Sequence, residues 1–162
     1  LEGLVIMVPR KGAQVAQFTG KDIQDVLEVR ASLEALAAKL ACKHMDERSF
    51  LKLQLIIAEY EYAAKEDDIE VMIQKDIEFH DTIAEASRNE KLVQLYNNMR
   101  EQVQRYRITY LKNTEESSAV IAEHNAMLEA LKNRDSELAS QLATKHIETQ
   151  CSSIMKFIQS KK

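Results

Sequence analysis

The chain has 162 residues, 45% of them apolar and 30% charged, with a formal net charge of −4. That length is enough for one domain with a substantial core, and the acidic balance excludes a fragment that wraps nucleic acid by its own charge. The longest early apolar run, LVIMV at residues 4–8, is too short to span a bilayer and lacks the layout of a signal peptide. Cys42 and Cys151 form neither a CxxC pair nor a disulfide framework, so the expected setting is a reducing cytoplasm, without a membrane.

Residues 1–18, LEGLVIMVPRKGAQVAQF, differ in kind from everything after them. A β-branched apolar run, a basic PRKG turn and a resumed alternation predict a β-hairpin whose tip carries Arg10 and Lys11. An isolated hairpin is marginal in water, so the chain is expected to begin inside a domain whose earlier part is not included. From Asp22 onward neither Gly nor Pro occurs, and nothing obliges a helix to break.

Residues 19–162 therefore read as an all-α domain, an antiparallel bundle of about six helices. Thr19 with Asp22 forms a capping box opening the first helix, over 20–43. Asp46 caps a second over 47–64, and the EDD at 66–68 opens a third over 68–86. Asn89 caps a fourth over 90–112, Thr114 precedes a fifth over 116–132, and Asp135 caps a last one over 136–160. In the first helix Ile23, Leu27, Arg30, Glu34 and Ala41 share one line, flanked by Val26, Val29, Leu33, Leu36 and Leu40. Arg30 and Glu34 thus lie beside the apolar stripe instead of opposite it.

The stretch KDIEFHDTI at 75–83 places Asp76 and His80 four apart on one helix face, which also carries Met72, Ile73 and Ile83. That spacing lets two side chains of one helix converge on an ion. His124 lies about as far before the Asn133–Asp135 turn as His146 lies after it. At 1.5 Å per residue both stand about 15–17 Å from the turn, level with one another in a helical hairpin. His44, at the end of the first helix, has no partner at helical spacing and reads as a helix-end residue.

Three imidazoles and one carboxylate suit a divalent transition metal, Zn foremost and Ni, Mn, Fe or Co as alternatives, and suit Ca or Mg poorly. Octahedral coordination would leave two positions for water or a chelating ligand; tetrahedral coordination would close the site. Arg30, Arg100, Arg105 and Arg107 are candidates to neutralise an anionic ligand beside that metal. The bland alternative for Arg30 is an ion pair with Glu34. Tyr96, Tyr106 and Tyr110 read as core or pocket wall. Two rival readings stand beside ligand sensing. One is a small helical metalloenzyme using a His₃Asp site to activate water, although Glu78 and Asp81 occupy other faces of their helix and supply no evident general base. The other is a purely structural or dimerising bundle.

These residues resemble a known family. GLVIMVPRKGAQVA is similar to the last strands and wing of the winged helix-turn-helix domain in GntR-type transcriptional regulators. DIQDVLEVRASLEALAAKLA, DIEFHDTIAEASRNEKL and EHNAMLEALKNRDSELASQLATKHI resemble, in order, the opening helix, the metal-binding signature and the closing pattern of their FCD effector domain. The resemblance implies that Asp76, His80, His124 and His146 hold a metal in a pocket for a small organic acid. It further implies a homodimer in which effector occupancy changes operator binding by winged-helix heads. Arg10, Lys11 and Gly12 match the wing tip that approaches DNA.

Overall fold

The computed structural model describes residues 5–8, 12–15, 20–111 and 114–160; side chains are described at 20–99, 102 and 117–159. Arg10, Lys11 and Thr19, singled out from the sequence, lie outside the described residues. Strands β1 (Val5–Val8) and β2 (Gly12–Val15) pair antiparallel, Val5 opposite Val15 and Val8 opposite Gly12. Gly12 sits at φ +78°, where a side chain is strained and glycine is not.

Six helices follow: α1 (Gly20–His44), α2 (Glu47–Lys65), α3 (Ile69–Ala86), α4 (Glu90–Leu111), α5 (Thr114–Lys132) and α6 (Ser136–Ser160). Their ends fall within two residues of the sequence expectation because polar caps set them. Asp46 accepts from the Ser49 N–H at 2.8 Å, Asp68 from Val71 at 3.1 Å, Asn89 from Leu92 at 3.1 Å and Asp135 from Leu138 at 3.0 Å. With no glycine available, the left-handed residues that close α2, α3 and α5 are Asp67, Arg88 and Arg134, at φ 54°, 54° and 56°. Arg134 offsets that strain through its side chain. Its Nη1 and Nη2 donate to the Cys42 and Met45 carbonyls, both at 2.7 Å, and the guanidinium lies over the Phe50 ring. It thereby caps the C-terminus of α1 from the α5–α6 turn.

Helix α1 runs along α6 and touches α3 and α4, while α2 packs against α3 and α5. Contacts at successive levels, Gly20 with Met155, Arg30 with Gln150 and Lys39 with Glu137, show α1 and α6 to be antiparallel. One apolar cluster gathers Ala37, Ala41, Leu53, Ile57, Phe79, Ile83, Leu131 and Ala139. A second gathers Ile23, Leu27, Tyr60, Met72, Val120, Ile147 and Ile154. The flank of α1 departs from the sequence reading: Val29 and Leu36 are 52% and 43% exposed, because Ala31, Ala37 and Ala38 take the inner positions. Among the described residues no helix is long and apolar enough to cross a membrane.

Candidate metal centre

Between the two apolar clusters lies a layer of buried polar side chains. On α1 it falls between Leu27 and Ala38, on α3 between Met72 and Ile83, and on α5 between Val120 and Met127. Apolar packing above and below buries Arg30, Glu34, Asp76, His80, His124, His146 and Gln150, so their polar groups have to be satisfied within the layer.

Asp76, His80, His124 and His146 all point into it, each 2% exposed or less. One ligand atom from each lies within 4.8 Å of all the others. An ion bound at about 2.0–2.2 Å spaces its ligand atoms at most about 4.4 Å apart, so small side-chain rotations suffice. The Asp76 carboxylate is approached by His124 Nε2 at 3.4 Å and His80 Nε2 at 3.6 Å. Both of those imidazole nitrogens are buried and make no hydrogen bond. Two unsatisfied nitrogens facing one carboxylate are what a cation would repair, so the donor set fits a divalent metal. The His80–His146 and His124–His146 ring centroids are 5.0 Å apart, and Phe79 stacks on His124 at 3.9 Å. Phe79 fixes the plane of that ring.

Outer carboxylates orient two of the imidazoles. Glu34 of α1, 2% exposed, faces His80 Nδ1 at 3.0 Å through Oε2. Its Oε1 accepts from Arg30 Nε and from the Tyr96 hydroxyl, both at 3.1 Å. Glu123 Oε2 lies 2.6 Å from His146 Nδ1. A carboxylate on Nδ1 keeps the proton there and presents the Nε2 lone pair inward, the usual outer support of a metal-bound histidine.

The electrostatics agree. Burial pushes His124 down to about 4, against the pull of Asp76, and burial with the neighbouring His80 pushes His146 down to about 3. Both are therefore neutral at neutral pH, with lone pairs available to a metal. Burial also opposes charge on His80, but Glu34 and Asp76 overcome it and raise its affinity for a proton. Burial would likewise raise the Glu34 carboxyl, and the charges of His80 and Arg30 instead hold it well below the usual carboxylate range.

The four expected ligands thus come together, and Arg30 lies against them, paired with Glu34 as its alternative reading anticipated. Arg100, Arg105 and Arg107 fall on α4, with side chains outside the described ones. Gly12 opens β2, and His44 is the exposed last residue of α1. Sequence reasoning missed two residues. Gln150, 2% exposed, has a side-chain N–H group 2.8 Å from His146 Nε2 and a carbonyl that accepts from Arg30 Nη1 at 3.2 Å. Its spacing of four from His146 was the available signal. Glu123, next to His124 in sequence, instead serves His146 across the helical hairpin, which no local spacing encodes. A groove of about 500 Å³ between α1 and α6 is lined by Leu27, Ala31, Ile147 and Cys151, and no tetrad residue lines it.

The FCD domain family matches residues 25–149, and the chain belongs to that family. The relatives it matches are named as transcriptional regulators, and solved structures of the same fold include a GntR family member from Pseudomonas syringae. Over 152 residues the chain is 26% identical to the HTH-type transcriptional regulator YdhC of Bacillus subtilis, covering 93% of this chain and 67% of YdhC. It is 24% identical to the gluconate operon transcriptional repressor of the same organism, covering 85% of this chain but only 58% of that protein. The fold matches E. coli McbR/YncC with a TM-score of 0.86 at 17% identity, over 94% of this chain and 77% of that one. These curated relatives are named as a transcriptional regulator and a transcriptional repressor, which is where the regulator and enzyme readings of the sequence part.

Proposed function

We propose that residues 19–162 form the metal- and effector-binding domain of a cytoplasmic, metabolite-responsive transcriptional regulator. In this reading residues 1–18 are the closing hairpin of a winged-helix domain. The convergence of Asp76, His80, His124 and His146 in a buried layer, with two imidazole nitrogens making no hydrogen bond, carries the metal. Zn is the first choice for this donor set, with Ni, Mn, Fe and Co next. A divalent ion on one carboxylate and three neutral imidazoles carries one net positive charge among its direct ligands; Arg30 and Glu34 neutralise each other, and Glu123 stands behind His146, part-exposed, instead of on the ion. An anion balances it, and Arg30 offers a planar fork matched to a carboxylate.

The ligand class is therefore a small carboxylate-bearing metabolite, and the relative named for a gluconate operon supports an organic acid. Arg100, Arg105 and Arg107 remain further candidates to meet it. Such a ligand acts only through its different affinities for two arrangements of the domain. In a homodimer those arrangements would set the spacing of paired DNA-binding heads on an operator, with Arg10, Lys11 and Gly12 at the wing tips. His124→Ala tests the reading: bound metal, measured by elemental analysis and native mass spectrometry, falls together with organic-acid affinity. Unchanged metal content sinks the four-ligand assignment.

A further inference from the structure

The position of one proton and one amide can be deduced from Arg30 outward. An arginine only donates, so the Gln150 atom that meets Arg30 Nη1 at 3.2 Å is the carbonyl oxygen. The amide nitrogen of Gln150 then faces His146 Nε2 at 2.8 Å and donates to it. His146 Nε2 is thus a lone-pair acceptor, and the ring proton sits on Nδ1, which donates to Glu123 at 2.6 Å. His80 Nε2 and His124 Nε2 make no hydrogen bond. His146 differs from them: the lone pair it would give a metal is already engaged.

We propose that Gln150 is an internal stand-in for the metal, occupying His146 Nε2 in the metal-free domain and holding Arg30 at the same time. The inference rests on the metal-binding reading above. For His146 to ligate, Gln150 has to leave Nε2. Rotation of one amide breaks both of its hydrogen bonds, because its carbonyl and amino groups turn together. Arg30 Nη1 then loses the acceptor on α6, while its Nε remains on Glu34. The freed donor lies beside the metal ligands, where a carboxylate would need it. Loading of the metal site and readiness for an anion are thereby coupled through one side chain shared by α1 and α6. Gln150 also lowers metal affinity, because its hydrogen bond to His146 is surrendered on loading.

Gln150→Leu, close in size and 2% exposed in the parent, separates this role from a structural one. Zn²⁺ affinity is measured by competition with a chromophoric chelator, and the ¹⁵N resonances of His146 are followed in the metal-free protein. Gln150→Met serves as a second variant should Leu disturb folding. The expected result is Zn²⁺ binding tighter by at least about fivefold, since the substituted domain surrenders neither Gln150 hydrogen bond on loading and one neutral bond alone is worth that much. The His146 Nε2 resonance should move toward that of an imidazole nitrogen accepting no hydrogen bond. Binding that is unchanged or weaker, or a His146 resonance that does not move, overturns the proposal while leaving the metal site standing. Absence of Zn²⁺ binding by the unsubstituted protein overturns the metal reading, and the stand-in role with it.

Discussion

Replacing Glu34 with Leu removes a buried negative charge that joins three helices. Its carboxylate accepts from Arg30 on α1 and Tyr96 on α4, and faces His80 on α3. Arg30 and Glu34 are each 2% exposed, so water cannot take over when one partner goes. Breaking a buried ion pair from one side costs about 3–5 kcal/mol, because an uncompensated charge stays in the interior. In a domain of this size each kcal/mol moves Tm by about 2–4 °C, so Glu34→Leu should lower it by roughly 6–20 °C. Urea denaturation of the metal-free domain, with the slope checked for constancy, gives the free energy directly. Arg30→Met combined with Glu34→Leu should be less damaging than Glu34→Leu alone, since an apolar pair of similar volume leaves no buried charge. A single substitution within about 1 kcal/mol of the parent would refute the reasoning. So would a double variant destabilised by the full sum of the two singles.

Three further outcomes follow from the same geometry. Arg134→Ala should cost about 2 kcal/mol by urea denaturation, for two charge-assisted hydrogen bonds to the end of α1. Arg134→Gly should be milder by about 1 kcal/mol, since glycine relieves the strain at φ 56°; equal losses would contradict the strain argument. The metal-free domain should weaken as pH falls below 6.5. His124 and His146, held at about 4 and about 3 when folded, take up protons near 6.5 when unfolded. Their contribution is complete above 6.5 and is lost as pH falls toward about 4 for His124 and about 3 for His146, at about 1.4 kcal/mol per histidine per pH unit. His80, raised in the fold, acts in the opposite sense: its contribution is lost as pH rises through its folded value, so it does not offset the acid loss. Stability that stays flat between pH 7 and pH 5 would contradict this. Stripping metal from the loaded domain with a chelator should lower stability by about 2.7 kcal/mol relative to a 100-fold excess over Kd; calorimetry showing no shift would argue against a bound ion.

The six helices were legible because their determinants are local. A chain without Gly or Pro after Asp22 has few ways to stop a helix, and Asp46, Asp68, Asn89 and Asp135 mark the starts. The candidate metal tetrad was legible for a related reason. Asp76 and His80 share a face by helical period, and antiparallel pairing places His124 and His146 level across one turn. Tertiary structure alone decided what surrounds those ligands. Whether the Arg30–Glu34 pair is buried or solvated, whether Glu123 serves its neighbour His124 or the distant His146, and whether Gln150 reaches His146 all depend on how α1, α5 and α6 are rotated about their axes. Sequence period specifies which residues share a face of one helix; the rotation that brings two faces together is set by close packing of many side chains at once. The composition thus specified a helical bundle, and the packing turned four scattered polar residues into one buried, oriented cluster.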